Sequence, residues 1–460
     1  MKKTFKLSIL AVLLVAITSC NQTNKKMMEL IPESAGIIVS INPSKVIDHT
    51  GVNVDGDGKL ELPGNLGNTI TESDKKQLEE GVQKIMKAGA DLSNNIYVYI
   101  TYNRSNTIHV LATTKDATAT KAVAEKEGGM TFKAVDGIEM ARMGDSYLAI
   151  KDDIVVMADN VKDAEIDVKE VFAEKEKNAT TNSDIEGVLS EDKDINVYIN
   201  YESAIEMAKE LGNSQIALIS GFLTGIKGCG YNVDLSDNKV TVKGQTFVDE
   251  NADIIKLLNE IKGDASNDFM EFMPADANIL FSLSLKGEKL AEFASIKPLL
   301  EAQSGNPMLG NANLTDLVKS LDGPIAVGVC VDKEFNPEKV KGSVVITTTK
   351  PNEWKALLDG ILKMGGMPYQ VVTEVKGENV IVKFGVQTNF ALNCSNDKAK
   401  SVFSDNYIGF CMDLNNNGKT MHMETGAADI KHGEGVFYIL NADGKEMAFV
   451  DYPEFFESLK

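Results

Sequence analysis

The amino-acid sequence predicts an α+β protein made of two related halves, each a mainly antiparallel sheet with packed helices. Three observations predict it. Short markers recur in the same order along the chain, β-branched and aromatic runs alternate with amphipathic helical stretches, and two-residue polar turns join neighbouring runs. The first marker aligns Met28-Glu-Leu-Ile-Pro-Glu-Ser-Ala-Gly-Ile-Ile-Val-Ser-Ile41 with Met270-Glu-Phe-Met-Pro-Ala-Asp-Ala-Asn-Ile-Leu-Phe-Ser-Leu283. The second aligns Leu92-Ser-Asn-Asn-Ile-Tyr-Val-Tyr with Leu321-Asp-Gly-Pro-Ile-Ala-Val-Gly, and a Thr-Thr-Lys follows each, at Thr113 to Lys115 and Thr348 to Lys350. The third aligns Thr246-Phe-Val-Asp249 with Ala448-Phe-Val-Asp451. These markers place a first α+β half at 28–266 and a second at 267–460.

The shared pattern has a physical basis. Pro32 and Pro274 hold the residue before them extended and end a short run. A polar pair turns the chain, and the Ile-rich run that follows reads as a strand. Ile96-Tyr-Val-Tyr-Ile-Thr-Tyr102 reads as another. Thr71-Glu-Ser-Asp74 starts a helix whose Leu78, Val82, Ile85 and Met86 fall on one face, and Glu353 to Leu362 around Trp354 has the same character. Asp237-Asn238 and Asp443-Gly444 supply hairpin turns, which imply antiparallel pairing.

Ahead of the two halves, residues 1–19 read as a signal peptide. Lys2, Lys3 and Lys6 form a basic start, Leu7 to Ile17 is apolar, and the small Thr18-Ser19 precede Cys20. The apolar run is shorter than the roughly 20 residues that cross a bilayer, and no other segment reads as transmembrane. Ile17-Thr18-Ser19-Cys20 resembles the lipobox of bacterial lipoproteins. That resemblance implies a diacylglyceryl thioether on Cys20, cleavage before it, and acyl chains of the palmitate class that hold the protein at a membrane. Each buried CH₂ contributes about 0.8 kcal/mol to such anchoring. Residues 20–27 then form a lipidated tether, with the polar Asn21 to Lys26 as its flexible part. The lipobox, the Met-x-x-Ile-Pro-x-x-Ala-x-Ile-Ile-Val-Ser-Ile opening and the repeated architecture together resemble uncharacterised Bacteroidetes lipoproteins whose body is a domain of unknown function. The resemblance covers nearly the whole chain, and it brings no catalytic residues to transfer. Some such lipoproteins use an acidic cluster after the cysteine to reach the cell surface. None follows Cys20, which implies an outer-membrane position facing the periplasm.

Composition excludes several classes. Without the leader, 47 basic residues fall to 44 against 67 acidic ones, a formal charge of −23. Such a body repels phosphate backbones, so nucleic acid is excluded as a partner. The acid is spread over helix-like faces (Glu79, Glu80; Asp163, Glu165, Asp167, Glu170) and reads as solvated. Cys229, Cys330, Cys394 and Cys411 contain no Cys-x-x-Cys pair and read as small buried hydrophobes, with room for one disulfide between Cys394 and Cys411 in an oxidising compartment.

Candidate sites are few. Asn53-Val-Asp55-Gly-Asp57-Gly58-Lys-Leu60-Glu61 has alternate oxygens and a turn glycine, like the start of a calcium loop, but Gly64 stands where the closing acid belongs. Calcium is the ion such a loop would take, and a polar turn-rich loop accounts for the residues as well. Asp413 to Glu424 has the loop spacing too, yet Asn417-Gly418 between apolar runs is a hairpin signal. The histidines are His49, His109, His422 and His432, with no His-Glu-x-x-His; His422 and His432 beside Met421 and Met423 hint at copper, although ungrouped histidines are commonly satisfied by neighbours. No Gly-x-Ser-x-Gly elbow or phosphate loop is present; Ser220 lies in an apolar helix-like run. Tyr97, Tyr99, Tyr102, Tyr198 and Tyr201 offer either an aromatic binding face or half-buried strand residues. No residue is assigned to catalysis or to a metal. The reading that follows is a non-catalytic envelope lipoprotein, a binding or assembly module with a protein or glycan partner. The alternative is an envelope hydrolase directed at polysaccharide, with dispersed Asp/Glu as acid and base.

Overall fold

A computed structural model of the chain describes residues 21–54, 59–61, 72–101, 106–210, 225–293, 296–303, 312–332, 339–364, 370–452 and 455–456. Cys20 and the leader lie outside the described residues, as do Asp55 to Gly58 and Ser220. The chain is α+β and forms two compact units, one of Met1–Phe247 with Ala448–Phe456, the other of Val248–Met447 with the last four residues. The sequence boundary at 266/267 therefore shifts. The helix Asp253–Ile261 belongs with the second unit, where Lys262 bridges Leu285 and the Gly263 amide donates to the Ser284 carbonyl at 2.9 Å. No helix among the described residues is long and apolar enough to cross a membrane.

The first unit contains the strands β1 (Ile37–Ile41), β2 (Ile96–Thr101), β3 (Thr107–Thr114), β4 (Lys133–Val135), β5 (Ile138–Met143), β6 (Ser146–Lys151), β7 (Ile154–Asp159), β8 (Ile195–Asn200) and β9 (Ile226–Asp234). Their antiparallel order is β9·β8·β1·β2·β3·β7·β6·β5·β4. Helices α1 (Ala117–Gly128), α2 (Ala164–Phe172) and α3 (Ser183–Leu189) accompany this sheet. The core gathers Ile38, Tyr97, Tyr99, Leu111, Met140 and Val156 from strands with Val168 and Val171 from α2. Alternation along each strand sends these residues to one face.

In the second unit the strands are β10 (Ile279–Lys286), β11 (Leu321–Cys330), β12 (Lys341–Thr348), β13 (Gln370–Lys376), β14 (Asn379–Gly385), β15 (Ile408–Asn416), β16 (Lys419–Ala427) and β17 (His432–Leu440). Their antiparallel order is β17·β16·β15·β10·β11·β12·β14·β13. Helices α4 (Pro351–Met364) and α5 (Asp397–Asp405) belong to this unit. Its core holds Phe269, Met273, Leu280, Val345, Ile381 and Phe403 together with Cys330, Cys394 and Cys411. Cys394 and Cys411 share this core as thiols, and the expected disulfide is not formed; all four described cysteines are unbridged and buried.

The two strand orders correspond from β9 through β6 and from β16 through β13. Ile37 pairs with Ile100 and Ile199, and Ile279 pairs with Val329 and Met412, so the first marker aligns residues in like positions. Pro32 bridges Asn178, and Pro274 bridges Leu392. Asn182 and Asn396 then cap the helices that follow, each accepting a backbone N–H from the first turn. Ile96 and Ile325 of the second marker also stand alike, opposite Ile41 and Leu283, but the triplets after it and the third marker are corrected. The amides of Thr114 and Thr348 donate to the Asp153 and Glu378 carbonyls, so Thr348 stands in the place of Thr114 and the Thr-Thr-Lys triplets are one residue out of step. Thr246 to Val248 close a strand, Val240–Val248, whereas Phe449–Asp451 form a 3₁₀ turn, so the third marker joins unlike elements. A four-residue match is too short to fix structure.

Several local expectations match the structure. The helix Glu72–Lys87 buries Val82 against Ile47 and Leu92, and Trp354 of α4 donates from Nε1 to the Leu317 carbonyl at 3.1 Å. Asn417 and Gly418 have φ of 52° and 81°, a two-residue turn between β15 and β16.

Two glycines of the second unit test the packing. A Cβ on Gly287 would meet the Val318 carbonyl oxygen at 1.8 Å, whereas one on Gly360 within α4 meets nothing within 4 Å. Gly287→Ala is expected to lower stability by at least about 1–3 kcal/mol. Gly360→Ala is expected to raise it by about 1 kcal/mol. Urea midpoints of the two variants check the opposite signs.

Candidate functional site

One row of cross-strand neighbours builds the site in the first unit. Tyr99 of β2 faces His109 of β3, His109 faces Ala158 of β7, and Ala158 faces Tyr147 of β6. Directly opposed residues share a face. Tyr99 and His109 stack with ring centroids 4.5 Å apart and planes 9° from parallel. Ala158 is small, and a carboxylate from α2 bridges the two residues beside it.

That carboxylate belongs to Asp167. The cap residue Asp163 accepts the Glu165 and Ile166 amides and starts α2, whose Ala164, Val168 and Val171 are buried. Asp167 falls on the same stripe, one turn after the cap. Its Oδ2 accepts the Tyr147 hydroxyl at 2.8 Å and lies 3.0 Å from His109 Nε2. The assignment of Asp167 to a solvated face is thus overturned; its side chain is 20% exposed. Burial, followed by the Asp167 charge, drives the Tyr147 hydroxyl far above its ordinary range and acts in the same sense on Tyr99. His109 Nε2 and the Tyr147 hydroxyl thus converge on one carboxylate oxygen. The other ring nitrogen, Nδ1, is buried and has no partner among the described residues. Leaving a buried polar atom unmatched costs about 1–3 kcal/mol.

His109 lines a pocket of 410 Å³ together with Pro32, Tyr99, Asp163, Asp167 and Lys175. The volume is in the range that takes a small organic ligand. Lys175 donates from Nζ to the Val171 carbonyl at 2.7 Å, near the C-terminal end of α2. Burial pulls its pKa down to about 8, against a smaller upward pull from Glu170 and Asp167. Perturbed groups gathered in a cleft are the physical mark of a functional site. Lys162, Lys177 and Glu170 complete the charged lining.

The remaining sequence candidates are spread elsewhere. Asn53 pairs with Glu61 in a short two-stranded ribbon, while Asp55 and Asp57 of the calcium-like loop lie outside the described residues. Tyr97, Tyr99 and Tyr198 are buried, so they form core and not an exposed aromatic face; Tyr102 lies outside the described residues. His49 Nδ1 is 2.8 Å from the buried Asp194, and the exposed His432 pairs with Asp429. His422 faces Tyr438 across β16 and β17, so it does not meet His432.

A model of one protein family matches residues 27–359, described as a domain of unknown function, DUF4836. The chain belongs to the DUF4836 family. No curated protein matches it. Among solved structures it is similar to crystal form I of TP0453, at 11% identity over 51% of this chain and 85% of that one, with a TM-score of 0.30. Crystal form III of TP0453 gives 11% identity over 52% and 88%, with the same TM-score of 0.30.

The Lys175 environment has a measurable consequence. The folded state releases this proton near pH 8, whereas an unfolded lysine holds it to about 10.4. The unfolded chain therefore binds more protons between those values, and stability contributed by this group rises with pH across that window. At pH 8 an amine-acylating reagent is expected to label Lys175 ahead of the exposed lysines, and Lys175→Met to remove the fast-reacting site. Uniform labelling of all lysines would contradict the burial effect.

Proposed function

We propose that this DUF4836 chain is a lipid-anchored protein of the bacterial envelope that binds a small polar ligand in the His109 pocket and performs no chemistry on it. The observation that carries this reading is the His109–Asp167 pair, tied to Tyr147, lining a 410 Å³ pocket together with Lys175. Lys162, Lys175 and Lys177 face Asp163, Asp167 and Glu170 around the lining, so the charges balance. A neutral, hydroxyl-rich molecule such as an envelope glycan fragment suits that balance better than a strong anion or cation.

Anchoring is supported by the leader pattern and by Cys20 after Thr18-Ser19, with an outer-membrane position facing the periplasm. The two units are best read as products of one internal duplication. Support comes from the matching strand orders, the paired bridges of Pro32 and Pro274, and the helix caps Asn182 and Asn396. The polysaccharide hydrolase has less behind it. A general acid needs a carboxyl held protonated, but the carboxylates that are resolved as shifted, Asp234, Asp276, Asp413 and Asp429, are all shifted downward. Asp167 in the pocket is already shared by His109 and Tyr147.

Two measurements test the reading. An alkyne fatty-acid tracer fed to expressing cells is expected to label the full chain and to leave Cys20→Ser unlabelled; an unlabelled parent chain would sink the anchor. Saturation-transfer NMR against neutral oligosaccharides is expected to show binding that His109→Phe removes. The stacked ring position is kept in that variant, and its stability is expected to change by no more than about 1 kcal/mol. Binding unchanged in His109→Phe would remove the pocket from the proposal.

A further inference from the structure

The second unit carries a different group of donor atoms. The Asn417-Gly418 turn fixes β15 and β16 in one register, which sets Cys411 opposite Glu424 and Asp413 opposite His422. Alternation puts all four side chains on one face, as the corners of a square. Donor atoms of Cys411, Asp413 and His422 lie within 4.8 Å of one another. Tetrahedral zinc places sulfur, nitrogen and oxygen ligands about 3.4–3.6 Å apart, so binding would spread the 2.7 Å His422–Asp413 pair to admit the ion beside the sulfur. Cys411 is 1% exposed and His422 is fully buried, beneath α5 and beside the second unit's core.

We propose that Cys411, Asp413 and His422 bind a divalent transition metal of the zinc class. The surrounding contacts are those that orient metal ligands. His422 presents Nδ1 toward Asp413 Oδ1 at 2.7 Å, and its other nitrogen, Nε2, lies 3.0 Å from Glu424 Oε2. A ligating imidazole characteristically gives its remote N–H to such a carboxylate. The second oxygen of Asp413 accepts Asn396 Nδ2 at 2.8 Å, and Asn396 is itself pinned as the cap of α5. Thiolate and imidazole together select a borderline-soft ion over calcium or magnesium. Three protein ligands leave a fourth position open. A 500 Å³ pocket lined by Lys398, Glu424, Glu434 and Tyr438 lies on the Glu424 side of the group, and none of the three ligands lines it.

The competing occupant of this position is a proton held between His422 and Asp413. The other acidic grouping, His49 with Asp194 and Asp234, is a weaker candidate and serves as the control. It has no thiol, Lys193 already holds Asp234 at 2.6 Å, and Asp194 Oδ2 accepts the Leu235 amide.

The test is cobalt and zinc titration of the full chain, purified with chelator under reducing conditions. One equivalent of cobalt is expected to produce a thiolate-to-cobalt charge-transfer band and zinc to displace it. Cys411→Ser and His422→Gln are expected to lose the band, and His49→Gln and Cys394→Ala to keep it. Glu424→Gln is expected to weaken zinc about 10–100-fold. Absence of the band in the parent chain overturns the proposal without any variant. Persistence of the band in folded Cys411→Ser, with circular dichroism as the check on folding, overturns it as well.

Discussion

In each unit one central strand is paired along both edges, and the positions of the other elements follow from it. All five residues of Ile37–Ile41 have partners in β2 on one side and β8 on the other. Ile279–Leu283 are held in the same way between β11 and β15. A slip of one residue on either side would turn every core side chain toward the opposite face. Just before each strand a proline bridge, Pro32 to Asn178 or Pro274 to Leu392, ties the entering chain to a distant segment. Register and entry point are thereby fixed together, and the helices that begin after Asn182 and Asn396 start from those same distant segments.

The His109 pocket is a product of that register. Tyr99, His109, Ala158 and Tyr147 become a row only because four strands are held in step. Asp167 reaches the row because α2 buries Val168 and Val171 against the sheet, which aims the next position on the stripe at the gap over Ala158. Neither part suffices alone. Moving β3 by one residue would put Ile108 or Val110 in place of the imidazole, and a quarter turn of α2 would withdraw the carboxylate.

Much of the scaffold was legible because it depends on local chemistry. The opening marker located both central strands to the residue, Asn417-Gly418 located a hairpin, and the spacing of Val82 and Met86 located a helix. The site was not legible, since His109 and Asp167 are 58 positions apart and meet through strand pairing and helix docking. One signal was present. Asp167 interrupts the buried stripe Ala164, Val168, Val171, and a charge at such a position asks for a partner; reading Asp163 to Glu170 as one solvated face hid it. His109 likewise alternates with Thr107 and Leu111 on the inward side of β3, an unusual place for an imidazole. The shifted Thr-Thr-Lys triplets and the mismatched Phe-Val-Asp segments show the reverse error, in which short identical peptides count for more than the hydrogen bonds that fix position.

Stability alone gives no reason for these buried polar groups. Replacing a buried charged or polar pair with well-packed apolar residues is often neutral or stabilising. Yet His109 lies against the Asp167 carboxylate in the first unit, and His422 stands between two carboxylates in the second. The two histidines sit on different strands of their units, β3 and β16, so one cannot be a copy of the other. Separate placement, each with its own carboxylate partners, means that the two units share a strand order but not a polar site.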